Sequence, residues 1–196
     1  MNNPASTIGI TDATPSQLRE RLSVALALGG EVLVRLDGCE RLPVDVLEVL
    51  LTLATAHRGR IRLRGASATV ARAVAVADAG AFLVVDGGQR PIAGDRPFTL
   101  LFPAPGVLRL RLEREAGNHR QLSDAISYDW LRGILADRLC LDLVELIHIN
   151  SLLIAWLIQA NQAIAPGKIE LINVHAQAAT QLAQLRLTHL LPIVTG

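Results

Sequence analysis

The sequence predicts an α/β fold built as two similar halves. Short, continuous apolar runs alternate with longer stretches whose apolar residues recur at helical spacing, a pattern typical of a sheet covered by helices. The 196 residues are 51% hydrophobic but only 3% aromatic, so Leu, Val, Ile and Ala must fill the core. The net charge is +1 without a basic block, which argues against nucleic-acid binding through phosphate contacts.

An internal repeat relates the two halves. Leu139 stands 107 residues after Val32, and Leu141 stands 107 residues after Val34. Farther along, an offset of 108 places "RGRIRLRGASA" over "PGKIELINVHA" and "AVAVADAGAFLVV" over "QLAQLRLTHLLPI". Identity is weak, but the order and spacing of the apolar runs agree. We therefore predict two copies of one domain, residues 1–90 and 98–196, joined by a linker at 91–97.

The first copy begins with the helix "TPSQLRERLSVALALGG", which starts at Thr14 or Ser16 and ends at Gly29-Gly30. The elements that follow alternate: strand "EVLVRLDG", helix "VDVLEVLLTLATAH", strand "RIRLRG", helix "SATVARAVAVADAG" and strand "AFLVV". Only "TIGIT" precedes the first helix, which leaves open whether this copy lacks its first strand.

The second copy repeats this pattern and adds a hairpin in front of it. "FTLLF" and "VLRLRLE" flank "PAPG", a turn signal between two apolar runs. Each copy is therefore expected to form a mixed β-sheet with its helices packed mainly on one face.

The most apolar segment, "ELIHINSLLIAWLIQANQ" at 145–162, is predicted to be a buried strand-to-helix corner. Its longest apolar run is the seven residues from Leu152 to Ile158, whereas a membrane-spanning helix needs about 20. The first sixteen residues lack the charged and apolar regions of a secretory signal. We therefore expect a cytoplasmic chain without membrane insertion, in which Cys39 and Cys140 are reduced.

This order of elements resembles the STAS domain, the fold of bacterial anti-anti-sigma factors, over nearly the whole chain in two copies. The ending "LINVHAQAATQLAQLRLTHLLPI" is similar to the family's closing pattern of an apolar helix followed by Leu-Leu-Pro-Ile. The family's strand-to-helix corner commonly reads Asp-Ser-Ser/Thr-Gly-Leu-Gly. The resemblance implies that a partner kinase phosphorylates one of those hydroxyl residues and thereby controls partner binding.

Both copies depart from the family's corner. In the first copy Asp45 stands at the second hydroxyl position and Val46 at the glycine. In the second copy Asn150 replaces the leading acid, Ser151 keeps the first hydroxyl and Leu152 occupies the second. By resemblance, the candidate partner-binding residues are Val44, Asp45, Val46, Asn150, Ser151 and Leu152.

Two interpretations of these corners remain open. Asp45 and Ser151 can simply be helix N-caps, with Glu48 completing a capping box after Asp45. Alternatively, Ser151 is a phosphorylation site and Asp45 permanently imitates a phosphorylated residue, because a phosphate would lie at the positive end of the helix. Under the second interpretation the second copy is the switch or docking face, and the first copy is scaffold.

The sequence shows no catalytic constellation, so we expect a non-catalytic protein without a metal or another cofactor. His148, His175 and His189 lack the i, i+4 spacing of a helical metal site. The resemblance implies a regulatory module that docks an anti-sigma factor or a related histidine-kinase-like ATPase. The alternatives are a cytosolic accessory subunit on the ATPase of a lipid-transporting ABC complex, or a non-switching scaffold that forms a homo-oligomer.

Overall fold

The computed structural model describes residues 6–10, 13–78, 82–86, 96–116, 122 and 126–194. Contacts divide the chain into two compact units, unit 1 (Met1–Gly94) and unit 2 (Asp95–Gly196). Of the predicted linker 91–97, residues 91–95 lie outside the described part. The α/β class is confirmed.

In its described residues, unit 1 is a four-stranded parallel sheet with three helices. Its elements are β1 (Ser6–Gly9), α1 (Pro15–Ala27), β2 (Val32–Arg35), β3 (Leu42–Pro43), α2 (Val44–Ala56), β4 (Ile61–Arg64), α3 (Ala68–Ala77) and β5 (Leu83–Val85). The sheet order is β1-β2-β4-β5, and every neighbouring pair is parallel. The predicted mixed sheet is therefore wrong for this unit. A single strand, β1, precedes α1 in the described residues and runs parallel to β2, so no hairpin supplies an antiparallel strand.

Local sequence explains the elements of unit 1. Thr14 accepts a hydrogen bond from the N–H of Gln17, whose side chain bonds back to the N–H of Thr14, and this capping box begins α1. Val32 and Val34 are fully buried in β2, whereas Arg35 is exposed. One face of the sheet is thus apolar, as a strand covered by helices requires.

Unit 2 is a five-stranded mixed sheet with helices. Its elements are β6 (Phe98–Ala104), β7 (Val107–Leu112), α4 (Ile126–Asp129), a 3-10 turn (Trp130–Gly133), β8 (Ile134–Leu135), β9 (Arg138–Asp142), α5 (Ser151–Ile164), β10 (Lys168–Ile172), α6 (Ala176–Gln184) and β11 (Ile193–Val194). The sheet order is β11-β10-β9-β7-β6; β6 and β7 form the predicted antiparallel hairpin, and the other pairs are parallel.

An aromatic cluster fills part of the core of unit 2. Phe98 stacks on Trp130 with ring centroids 5.8 Å apart, and Trp156 lies 6.4 Å from Phe98. Both indoles are buried, and Ser127 accepts a hydrogen bond from each of their N–H groups. Nε1 of Trp130 donates to the Ser127 carbonyl and Nε1 of Trp156 donates to the Ser127 hydroxyl, each at 3.0 Å. The two tryptophans therefore act as core residues.

The strand registers of the two units follow the offsets seen in the sequence. Val32 pairs with Ile61 in unit 1, and their counterparts Leu139 and Ile169 pair in unit 2. The pair Leu63–Val85 likewise corresponds to Leu171–Ile193. The central helices begin at equivalent residues, Val44 and Ser151, and the next helices have equivalent N-caps, Ser67 and His175. Gly65 and Asn173, which are also equivalent, both have a positive φ. The two sheets therefore share one core topology, to which unit 2 adds β6.

The longest helix in the described residues, α5, has 14 residues. Within that part of the chain, no helix combines the length and apolar character needed to cross a membrane.

Candidate functional site

The corner of unit 2 joins β9 to α5 through residues 143–150, called the corner loop below. Asn150 has extended backbone angles, φ −104° and ψ 173°, and its Oδ1 accepts a hydrogen bond from the N–H of Leu153 at 2.9 Å. Asn150 is thus the N-cap of α5. The prediction that Ser151 caps this helix is wrong, because the helix begins at Ser151 itself.

Ser151 is instead an exposed first residue of a 14-residue helix. Backbone N–H groups in a first helical turn are not used by the helix, and together they give this end a partial positive charge. A phosphoryl group carried by the Ser151 hydroxyl would lie beside these groups, in the geometry that proteins use to hold phosphates.

The corner of unit 1 is built differently. Helix α2 begins at Val44, and the residue before it is Pro43, which makes no side-chain cap. Asp45 is therefore the second helical residue, and the predicted capping box between Asp45 and Glu48 is wrong. Glu48 instead accepts a hydrogen bond from Arg19 of α1 at 3.3 Å. Asp45 still lies in the first turn, where a carboxylate favours the helix dipole.

The two corners differ in what they expose. Val44 and Val46 are 2% and 4% exposed, so they offer no surface to a partner, and Asp45 is partly buried. In unit 2 the candidates Asn150 and Ser151 are exposed, and Leu152 is partly buried. The unit 2 set therefore presents two exposed polar residues, whereas the unit 1 set presents one partly buried carboxylate.

A surface depression of about 460 Å³ lies in front of this corner. It is lined by Arg114 and Glu115, which follow β7, and by residues 145–150 of the corner loop. Ile147, one of the lining residues, is 54% exposed, and Val144 at the start of the loop is 57% exposed. The loop that leads into Ser151 therefore carries two exposed apolar side chains.

The corner loop is anchored at several points along its length. The N–H of Leu143 donates to the carbonyl of Ile172 at 3.0 Å, and that of Leu146 donates to the carbonyl of Leu143 at 2.9 Å. The N–H of Ile149 donates to Oε1 of Gln181 on α6 at 3.3 Å. The loop therefore has a defined conformation, supported by the neighbouring strand and by α6.

A buried carboxylate lies at the base of the loop. Asp142, the last residue of β9, is fully buried. Its Oδ2 accepts hydrogen bonds from Nε of Arg109 at 3.1 Å, from Nη2 of the same residue, and from Nε of Arg111 at 3.3 Å. Its Oδ1 accepts from Nδ2 of Asn173 at 2.9 Å and from the N–H of Val144 at 3.3 Å.

These contacts keep Asp142 ionised. Burial raises the pKa of this carboxyl, but the hydrogen bonds from Asn173, Arg109 and Val144, with the charge of Arg109, outweigh burial and lower the pKa below its ordinary value. Sequence reasoning did not single out this cluster. The signal was present: an aspartate interrupts the apolar run "LCLDLV", and "VLRLRLE" places two arginines on one strand face.

His148, His175 and His189 lie in different surroundings. His148 lines the depression, and His175 caps α6 by accepting the N–H of Gln177 on Nδ1 at 3.4 Å. His189 is exposed beyond α6. In the described ranges, no group of three or more His, Cys, Asp or Glu side chains is arranged to hold a metal ion.

Neither cysteine takes part in a disulfide. Cys140, in β9, is 8% exposed, and its thiol lies 3.7 Å from Oε2 of Glu170. Burial, followed by the charge of Glu170, raises the pKa of the Cys140 thiol. Burial also raises the pKa of Cys39. Both thiols therefore favour the protonated, unreactive form.

Comparison with other proteins adds no assignment. No family model matches the chain, no curated protein matches it, and no solved structure matches it. The interpretation of the corner consequently depends on its own geometry and on the order of the elements.

Proposed function

We propose that this chain is a non-catalytic regulatory binding module of the STAS type, which docks a partner protein through the corner of unit 2. The element order of unit 2 supports this proposal: a hairpin, a short helix with a 3-10 turn, two strands, a polar corner, an apolar helix, a strand, a helix and a final strand. By the resemblance, the partner is an anti-sigma factor or a related histidine-kinase-like ATPase in the bacterial cytoplasm.

The observation that carries the proposal is the combination of an exposed hydroxyl and exposed apolar groups on one corner. Ser151 begins α5, while Val144 and Ile147 expose more than half of their surface on the loop before it. Apolar side chains held in a fixed loop supply affinity for a partner because their surface leaves water on binding. The adjacent hydroxyl supplies a place for regulation.

Phosphorylation of Ser151 would add roughly −1.5 to −2 charge at the entrance of α5. The helix end stabilises such a charge within the protein. An acidic partner surface would be repelled by it, and an apolar partner surface could cover it only at the cost of desolvating the phosphate. We propose that modification of Ser151 therefore changes docking without unfolding the unit. Unit 1 is assigned the scaffold role, because its corner buries Val44 and Val46 and carries the fixed carboxylate of Asp45.

The first test is affinity capture with the tagged full chain from its own cell lysate, followed by mass spectrometry. Capture of a histidine-kinase-like ATPase supports the proposal. Capture of an ABC-transporter ATPase would replace it with the accessory-subunit function, and recovery of the protein alone would favour a self-assembling scaffold.

The second test addresses the switch. The captured kinase is incubated with the wild type and with Ser151→Ala in the presence of ATP, and phosphopeptides are mapped. We expect one phosphate at Ser151 in the wild type and none in the variant. Phosphate elsewhere, or no phosphate with a kinase active on another substrate, would remove Ser151 as the switch while leaving the docking surface to be judged by capture.

A further inference from the structure

The corner loop begins directly after the buried Asp142, so the cluster around this residue and the loop form one connected structure. Asp142 donates nothing and accepts from four groups: Arg109 and Arg111 on β7, Asn173 after β10, and the N–H of Val144. Two neighbouring segments, β7 and the residue after β10, are thereby tied to the start of the loop.

We infer that Asp142 is a positioning residue that holds the start of the corner loop, through its bonds to Val144 and Asn173, while the bond from Ile149 to Gln181 holds its far end. The cluster is an anchor and not a further ligand site, because Oδ2 already accepts three N–H groups and Oδ1 accepts two, whereas an ionised carboxyl offers about four acceptor positions. The inference rests on the proposed function only for the role of the loop in docking.

Unit 1 provides the internal contrast. At the positions equivalent to Asp142 and Asn173 it has Arg35 and Gly65. Arg35 pairs with Asp37 at 2.7 Å, but both side chains are more than half exposed, at 58% and 54%. A surface pair of this kind holds a loop weakly, whereas removing a donor from the fully buried Asp142 carboxylate would leave a buried charge short of a partner. At these equivalent positions, unit 2 has the buried anchor and unit 1 has an exposed pair.

The experiment is amide hydrogen exchange on the full chain, read by mass spectrometry under conditions where the folded state exchanges by local opening. Asp142→Asn keeps the size of the side chain and removes its charge. Asn173→Gly removes one hydrogen bond and still accepts the left-handed backbone, φ 54°, that Asn173 adopts. Asp37→Asn is the matched control in unit 1.

We expect Asp142→Asn to speed exchange of the amides at 144–150 about tenfold or more, because bonds to a charged buried group are among the stronger ones. Asn173→Gly should speed the same amides by a smaller factor, and strand β10 should keep its wild-type protection in both variants. Asp37→Asn should leave residues 144–150 unchanged. If Asp142→Asn does not fold, Asn173→Gly decides the question.

Unchanged exchange at 144–150 in both variants would overturn the inference. Equal acceleration in the loop and in β10 would also overturn it, because that result describes general destabilisation and not positioning. Hydrogen exchange is measured without a partner. A negative result would therefore overturn the positioning role of Asp142 and leave the proposed docking function untouched. A loosened loop with undiminished capture of the partner would keep the anchor and reject the docking role.

Discussion

Replacing Asn150 by alanine should destabilise unit 2, whereas replacing its neighbour Ser151 should not. The Oδ1 of Asn150 accepts the N–H of Leu153 at 2.9 Å, so Asn150→Ala leaves that N–H without its side-chain partner. Loss of such a cap costs about 1 kcal/mol, within a range of roughly 0.5–2. Ser151 is an exposed first-turn residue, and alanine has the higher helix propensity, so Ser151→Ala should stay within about 0.5 kcal/mol of the wild type.

Urea unfolding, monitored by tryptophan fluorescence, measures the difference in unfolding free energy for unit 2 alone. The chain has two tryptophans, Trp130 and Trp156, and both belong to the core of unit 2. With a urea dependence of about 1–3 kcal/mol per molar, the midpoint for Asn150→Ala should fall by roughly 0.3–1 M. Asn150→Asp is the matched control, because it keeps the acceptor and adds a charge that the helix end favours.

The result that refutes this reasoning is a reversed order of the variants. A larger loss of stability in Ser151→Ala than in Asn150→Ala would mean that the serine is the cap, as the sequence alone had suggested. The outcome also matters for function, since Ser151→Ala is a clean test of phosphorylation only if it leaves the fold at wild-type stability.

Three further predictions concern the stability of the two units. The lowered pKa of Asp142 stabilises the folded state at neutral pH, and this stabilisation is lost as the pH falls from 3.8, the ordinary pKa of an aspartate, through the lowered pKa. The stability of unit 2, followed by tryptophan fluorescence, should therefore fall less steeply below pH 3.8 in Asp142→Asn than in the wild type. Trp156→Ala should cost about 3–5 kcal/mol in urea unfolding followed by circular dichroism; a loss below 1 kcal/mol would contradict the buried position. Gly65→Ala should destabilise unit 1 more than Gly29→Ala in the same assay. Both glycines have a positive φ, but an added Cβ would clash with Asp37 at Gly65 and would meet no atom within 4 Å at Gly29. Equal losses of stability would contradict the close contact between Gly65 and Asp37.

The sequence predicted the class of the fold and the relation between its halves. The spacing of apolar residues identified most strands and helices, because burying one face of an element places its apolar residues at regular intervals along the sequence. The offsets of 107 and 108 also anticipated which strand positions correspond, such as Val32 with Leu139. The parallel sheet of unit 1 was missed, because the direction of a lone strand depends on contacts with β2 and not on its own residues.

The details of the site were harder to predict. Two residues of good capping type, Asn150 and Ser151, stand side by side, and the sequence does not say at which of them the helix begins. Helix α2 begins at Val44 although Asp45 is the better cap, because burial of the valine outweighs that preference. The anchor at Asp142 joins residues about 30 positions apart, and local patterns carry no information on such contacts.

The most direct test of the account compares partner capture by Ile147→Asp with capture by Val24→Asp. Each variant places a charge on an exposed apolar residue, Ile147 on the corner loop at 54% exposure and Val24 on α1 of unit 1 at 59%. If the corner of unit 2 docks the partner, quantitative mass spectrometry should show at least about tenfold less partner with Ile147→Asp, which corresponds to about 1.4 kcal/mol of binding free energy. Val24→Asp should capture the wild-type amount. Equal capture by both variants, each with a wild-type circular dichroism spectrum, would contradict the account.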